Sequence, residues 1–177
     1  MIKNEREAYK SVKLDMKAII YESNTGFTER YAKTLSEKTG VPAYTLKDAK
    51  KAVEKDSEVV FLGWVFANKI QGYDKANKQW KLAALAAVGM NPHSDKNTEI
   101  VKDANKPECP MFYLPGGLNN DKLGGMHKMM LSMVRKSLEK ENKPEYADAI
   151  KMFKEGGDFF SEEYLEGLLA LMLMKTD

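Results

Sequence analysis

Short, nearly unbroken apolar runs alternate along this chain with stretches whose apolar positions recur every three or four residues. Met16–Tyr21, Pro42–Leu46, Glu58–Gly63 and Met111–Leu114 read as strands. Val59-Val60-Phe61-Leu62 has the continuous apolar, partly β-branched character of a strand covered on both faces. Leu82–Gly89 is alanine-rich, which suits a helix. Its fully apolar content and the following Asn91-Pro92 suit a buried strand, and strand completes the alternation. Between these runs the spacing predicts helices over Thr28–Thr39, Asp48–Lys55, Tyr73–Trp80 and Thr98–Ala104. Gly40 and Pro42 supply the stop signals of the first. Strands alternating with helices imply right-handed crossovers and an α/β, doubly wound sandwich around a five-stranded parallel sheet.

In such sheets ligands bind beyond the carboxyl ends of the strands, where the winding reverses. Three segments should meet there: the loops Ser23–Thr28, Trp64–Gly72 and Gly89–Asp95. The first, Ser23-Asn24-Thr25-Gly26-Phe27-Thr28, lies between a buried strand and a helix N-terminus. Backbone N–H groups converge at such a turn, the helix dipole favours negative charge, and three hydroxyls can donate further bonds. Gly26 permits the left-handed backbone or close approach that a tight loop needs. The competing reading is an ordinary strand-to-helix turn with Thr28 as N-cap. The loop has no Lys or Arg of its own; Arg30 follows one turn into the helix. Neither a Walker A loop nor a G-x-G-x-x-G fingerprint follows the first strand. What is left is a loop suited to a terminal phosphate held by amides and hydroxyls.

The pattern [ST]-x-T-G-x-T after a first strand resembles the phosphate loop of flavodoxins. The arrangement over about Met16–Leu118 is similar to flavodoxins and to the flavodoxin-like domain of menaquinone-dependent protoporphyrinogen dehydrogenases. The resemblance implies FMN as cofactor, its phosphate on Ser23–Thr28. It also implies that the loops after the third and fourth strands hold the isoalloxazine ring. By position those are Trp64, Val65, Phe66, Ala67, Asn68 and Lys69, then Gly89, Met90 and Asn91 with Pro92 and His93. Trp64 or Phe66 could stack on a flat ring, although Trp64 could equally finish the core. Asn68 or Asn91 could bond to the ring's rim. Lys69 is either a partner for a reduced, anionic flavin or a solvated surface lysine. Three features depart from electron-carrier flavodoxins: the chain is not acidic, Met90 stands where a tyrosine is common, and a long segment follows Gly117.

That segment, 117–156, is expected to be a helical insertion near the fifth strand, with residues 1–15 an N-terminal extension and 16–177 the domain. Gly124–Leu138 forms an amphipathic helix. Met126, Met130, Met133 and Val134 share one face, with Lys128, Arg135 and Lys136 largely elsewhere. Such a face could cover the sheet, meet a quinone or protein partner, or rest peripherally on a membrane through 124–138. Asp158-Phe159-Phe160 is expected to complete the fifth strand, and Ser161 to cap the final helix.

Composition narrows the picture further. With 177 residues and a net charge of +2, the chain can bury a core without staples and offers no basic stripe for nucleic acid. The single Cys109 excludes an internal disulfide and, with no His partner in view, reads as a small core residue. His93 and His127 match no metal-ligand spacing, so no metal is expected; His127 is expected at the solvated surface. No signal peptide pattern opens the chain. The cluster Leu168–Met174 is far short of the ~18–20 residues that span a bilayer, which points to the cytoplasm. The implied function is an FMN-binding redox protein. It would be either a carrier with protein partners or a flavin-dependent dehydrogenase with a small-molecule or quinone acceptor. The alternative is a scaffold of the same fold that has lost its flavin.

Overall fold

The computed structural model describes residues 16–173. The extension 1–15 and the end of the last apolar cluster, Met174, lie outside the described residues. Five parallel strands form the central sheet: β1 (Ala18–Glu22), β2 (Ala43–Thr45), β3 (Glu58–Phe66), β5 (Lys81–Gly89) and β6 (Met111–Pro115). Their spatial order is β2-β1-β3-β5-β6, and every pairing along that path is parallel. The winding therefore reverses between β1 and β3, which puts the ligand crevice beyond Glu22 and Phe66. The alanine-rich run is a strand, as the alternation requires. Seven of its nine residues are buried, and a central strand covered on both faces has room there for small side chains.

Period-two alternation divides the core into two layers. Ala18, Ile20, Val59, Phe61, Leu85, Ala87 and Tyr113 face one side, under α2 (Leu46–Ala52), α3 (Tyr73–Gln79) and α4 (Asp95–Asn105). Ile19, Tyr21, Val60, Leu62, Ala84, Ala86, Val88 and Leu114 face the other, under α1 (Phe27–Thr39) and α7 (Glu166–Leu173). The register shifts at Val59/Val60, where Ala83 is the extra residue on β5, a bulge that keeps both faces apolar. Cys109 packs half-buried against the first layer. Burial pushes its thiol up, so it stays protonated and is the small core residue expected.

Two segments differ from expectation. Trp64–Phe66 does not start a loop: β3 runs on through it and turns back as β4 (Lys69–Ile70). Ala67 and Asn68 both take positive φ, 47° and 62°, the requirement of a two-residue turn matched to strand twist. Gly63 reads as a strand end but serves a packing purpose. A Cβ there would stand 2.6 Å from the Gln71 carbonyl oxygen and from the Ile70 side chain, so its absence lets the returning chain close over β3. The second difference concerns Asp158-Phe159-Phe160, which does not complete the fifth strand. Gly157–Asp158 (β8) instead pairs antiparallel with Gly117–Leu118 (β7) in a separate two-stranded sheet. At Gly117, φ is 144° and a Cβ would collide with the Gly157 carbonyl. Only glycine therefore allows the chain to leave β6 and be met by its own return.

Between β7 and β8 lie a 3-10 turn (Asn120–Lys122), α5 (Gly125–Glu141), a second 3-10 turn (Pro144–Tyr146) and α6 (Ala147–Glu155). The insertion is therefore helical. None of the α5 side chains is fully buried, and Met126, Met129, Met130, Met133 and Val134 are exposed. The methionine face does not serve the sheet's core.

Candidate functional site

At the carboxyl ends of β1, β3 and β5 lies a cavity of about 340 Å³, inside the roughly 300–1,000 Å³ range of small-molecule sites. Asn24, Thr25, Phe27 and Thr28 line it from the first loop, Trp64–Ala67 from the end of β3 and the hairpin turn, and Val88, Gly89 and Met90 from the end of β5. The convergence expected from the winding is therefore present, with Trp64, Val65 and Phe66 arriving on a strand.

The first loop is built for an acceptor that the protein does not supply. Gly26 is left-handed at φ 102° and stands as N-cap of α1 with no side-chain cap bond; Thr28 is not the N-cap. Ser23 Oγ accepts from the N–H groups of Gly26 and Glu29, both at 3.3 Å. Among the described residues the N–H groups of Phe27 and Thr28 have no acceptor. Thr28 is 1% exposed, lines the cavity, and its hydroxyl has no partner among the described residues. Two bare amides and a bare hydroxyl at a helix N-terminus form a seat for an anion.

Seven of the expected contact residues, Ser23, Gly26, Asn68, Lys69, Asn91, Pro92 and His93, do not line the cavity. Ser23 and Gly26 shape the loop from behind. Asn68 offers its carbonyl to Asn105 Nδ2 at 2.8 Å. Lys69 donates its ammonium to the Ala104 carbonyl, which directs its charge to the end of α4 and away from the cavity. Asn91 gives its carbonyl to the Tyr113 hydroxyl at 3.1 Å. Asn105, unremarked in the sequence, clamps the hairpin: its Oδ1 accepts from Ile70 N at 3.0 Å and its Nδ2 also donates to Val101 O.

The rest of the lining comes from the insertion: Gly117, Leu118 and Leu123, then His127, Met130, Leu131 and Val134 of α5, and Phe153 of α6. His127 is not the solvated surface residue expected. It sits edge-on to Trp64 and to Phe66, with ring centroids 5.2 Å away in each case. Trp64 and Phe66 are themselves 5.8 Å apart. The three rings make one wall of the cavity and join α5 to the end of β3. Phe27 lies against Gly116 and Gly117, where side chains would collide with it or with Val88. The walls are thus apolar and aromatic, with polar groups gathered at one end, the composition of a small-molecule site.

A second departure concerns charge. The first loop has no cation in sequence, yet Lys122 Nζ lies 3.6 Å from the point a Gly26 Cβ would occupy. Arg30, the cation closest in the chain, is engaged elsewhere. Its guanidinium meets Asp158 at 2.9 Å and covers the Phe160 ring at 3.8 Å. Among the described residues no group of His, Cys, Asp and Glu could hold a metal ion, and no helix is long and apolar enough to cross a membrane.

Tyr31 anchors the return from the insertion. Its hydroxyl donates to Pro115 O at 2.6 Å and accepts from Ser161 N at 3.3 Å. Ser161 in turn caps the turn that leads into α7, as expected. Burial pushes the phenols of Tyr31 and Tyr113 up to about 12, while an unfolded phenol ionises near 10. A raised folded value contributes stability below the unfolded value and loses it as pH rises through the folded one. Urea unfolding is therefore expected to show stability level to about pH 10 and falling toward about pH 12. Tyr31→Phe should flatten that fall and remove about 1–2 kcal/mol at neutral pH; an unchanged profile would refute the assignment.

No curated protein matches the chain. The family model of the flavodoxin domain matches residues 18–145, from the first residue of β1 to the turn that follows α5. Flavodoxin domains are, as a family, flavin-binding electron-transfer modules, and with well over half of its length matched this chain belongs to that family.

Proposed function

We propose that this protein binds FMN in the cavity at the β1/β3 crevice and uses it to move electrons from a reductant to a small-molecule acceptor. The observation that carries the reading is the bare donor set at the start of α1 (the Phe27 and Thr28 amides and the hydroxyl of Thr28, which lines the cavity) beside an aromatic, apolar slot. The residues present fit the group. Thr25 and Thr28 would hold the phosphate, and Trp64, Phe66 and Met90 would flank the ring. The chemistry a flavin supplies when bound is one- or two-electron transfer, with its potential tuned by the surrounding chain. Apolar walls exclude water and strengthen polar contacts at the ring's rim.

The roof made by α5 and α6 favours an enzyme over a carrier. A carrier needs only a ring edge at a flat surface, whereas this cavity extends under Met130, Leu131, Val134 and Phe153. An apolar acceptor such as a quinone suits those walls. The exposed methionine face of α5, flanked by Lys128 and Lys136, would be the side on which it, and the membrane holding it, approach. The resemblance to the flavodoxin-like domain of protoporphyrinogen dehydrogenases suggests a reduced organic substrate of the porphyrinogen kind as electron source.

The decisive test is direct. The purified chain, incubated with FMN and freed of excess, is expected to turn yellow with an absorbance band near about 450 nm. A colourless protein that leaves FMN fluorescence unquenched would remove the redox reading and leave a scaffold of this fold.

A further inference from the structure

We infer that Lys122 is the cation that neutralises the cofactor's phosphate, so that the phosphate ties the helical insertion down over the site; this rests on the FMN reading above. The turn after β1 carries no basic residue, so its sequence alone points to an anion held by amides and hydroxyls. Folding changes that. Gly26 has no Cβ, and the Lys122 ammonium stands 3.6 Å from where one would be.

Neighbouring cations are committed: Arg30 to Asp158, Lys33 to Glu29, Lys38 to Glu162. Among the described residues Lys122 Nζ has no carboxylate in ion-pair range. It stands beside Gly26, the residue that precedes the Phe27 and Thr28 amides and the Thr28 hydroxyl, all donors for which no acceptor is found among the described residues. A dianion is the group that satisfies the whole set, and an ammonium contact to phosphate is among the stronger hydrogen bonds.

Lys122 is rigidly part of the insertion. Asn119 Oδ1 accepts from the Asp121 and Lys122 N–H groups at 3.2 and 3.3 Å. Asn120 Nδ2 donates to Phe153 O at 3.3 Å and Lys154 O at 3.2 Å, joining this turn to α6. Leu123 and His127 follow on the cavity wall. A phosphate that engages Lys122 therefore fixes the start of α5 and, through Asn120, the end of α6. FMN should hold the roof closed, and riboflavin, which has the same ring and no phosphate, should not.

The experiment compares FMN and riboflavin on the full chain and on Lys122→Gln and Lys122→Glu. Dissociation constants come from flavin fluorescence quenching, and amide hydrogen exchange is followed over 117–156. Lys122→Gln is expected to weaken FMN about tenfold and Lys122→Glu about a hundredfold, with riboflavin changed by less than about twofold. Raising salt from about 50 to about 500 mM should weaken FMN on the wild type more than on Lys122→Gln. FMN should slow exchange in α5 more than riboflavin does, and that difference should vanish in Lys122→Glu. An unchanged FMN-to-riboflavin preference in both variants, with the wild type binding FMN, would overturn this inference alone. A wild type that binds neither flavin would overturn the FMN reading and this inference with it.

Discussion

Truncating Phe61 to alanine is expected to remove about 3–5 kcal/mol of folding stability. Phe61 is fully buried at the middle of β3, the strand between β1 and β5. Its ring fills the space left by two glycines: Cβ atoms at Gly63 and Gly72 would each come within 3.0 Å of it. Nothing nearby can collapse into the vacated volume, because the backbone at both glycines is held by its own pairings, Gly63 with Glu22 and Ala87 and Gly72 O with Ala76 N. At about 2–4 °C per kcal/mol for a chain of this size, the melting temperature should fall by roughly 6–20 °C. Phe61→Leu should recover a good part of the loss. A drop of under about 1 kcal/mol in urea unfolding would show that the layer beneath α2 and α3 is loosely packed. The functional consequence is local, since β3 carries Trp64 and Phe66 to the cavity.

Placing a carboxylate in the anion seat is expected to abolish FMN binding. Thr28→Glu would set a negative group among the amides of Phe27 and Thr28, where the phosphate is proposed to lie. Like charges brought together with little water between them cost several kcal/mol, which lowers affinity more than about a hundredfold. Thr28 is buried and opens on the cavity, so a longer side chain there could also disturb α1. Thr25→Glu, at a half-buried position of the same loop, separates the two effects, and circular dichroism reports the fold of each. Thr28→Ser keeps the hydroxyl and should bind within a few-fold of the wild type. Equilibrium dialysis showing FMN affinity within tenfold of wild type in a folded Thr25→Glu and a folded Thr28→Glu would place the phosphate elsewhere.

The layered architecture is legible because its signals are local. Ile19 and Ile20, Val59 to Leu62 and the alanine run announce strands buried on both faces, and Gly40 with Pro42 ends α1 where left-handed geometry is required. The donor-rich character of the first loop is legible for the same reason, since its hydroxyls, amide and one glycine are adjacent in the chain at a strand-to-helix junction. Trp64 to Phe66 is less legible. Gly63 looks like the end of a strand until the returning chain shows why a side chain is forbidden there, and the hairpin that follows depends on positive φ at Ala67, a residue that seldom adopts it. Asp158-Phe159-Phe160 reads as a strand because a pair of aromatic residues after a helix resembles one. What captures it is the antiparallel meeting with Gly117–Leu118, far back in the chain.

By itself, then, the sequence determined the parallel α/β sheet, the place of the crevice and the donor-rich character of its first loop. Each follows from side-chain periodicity, turn chemistry and the handedness of crossovers, which act over a few residues. Only the tertiary structure decided that the insertion roofs the crevice, with Met130 on the cavity wall and Met126, Met129 and Met133 left exposed. It alone set His127 against Trp64 and Phe66, and Lys122 above Gly26. Those relations join segments far apart along the chain. They arise from how whole elements pack, where each contact depends on the position of every other, and no short pattern of residues encodes them.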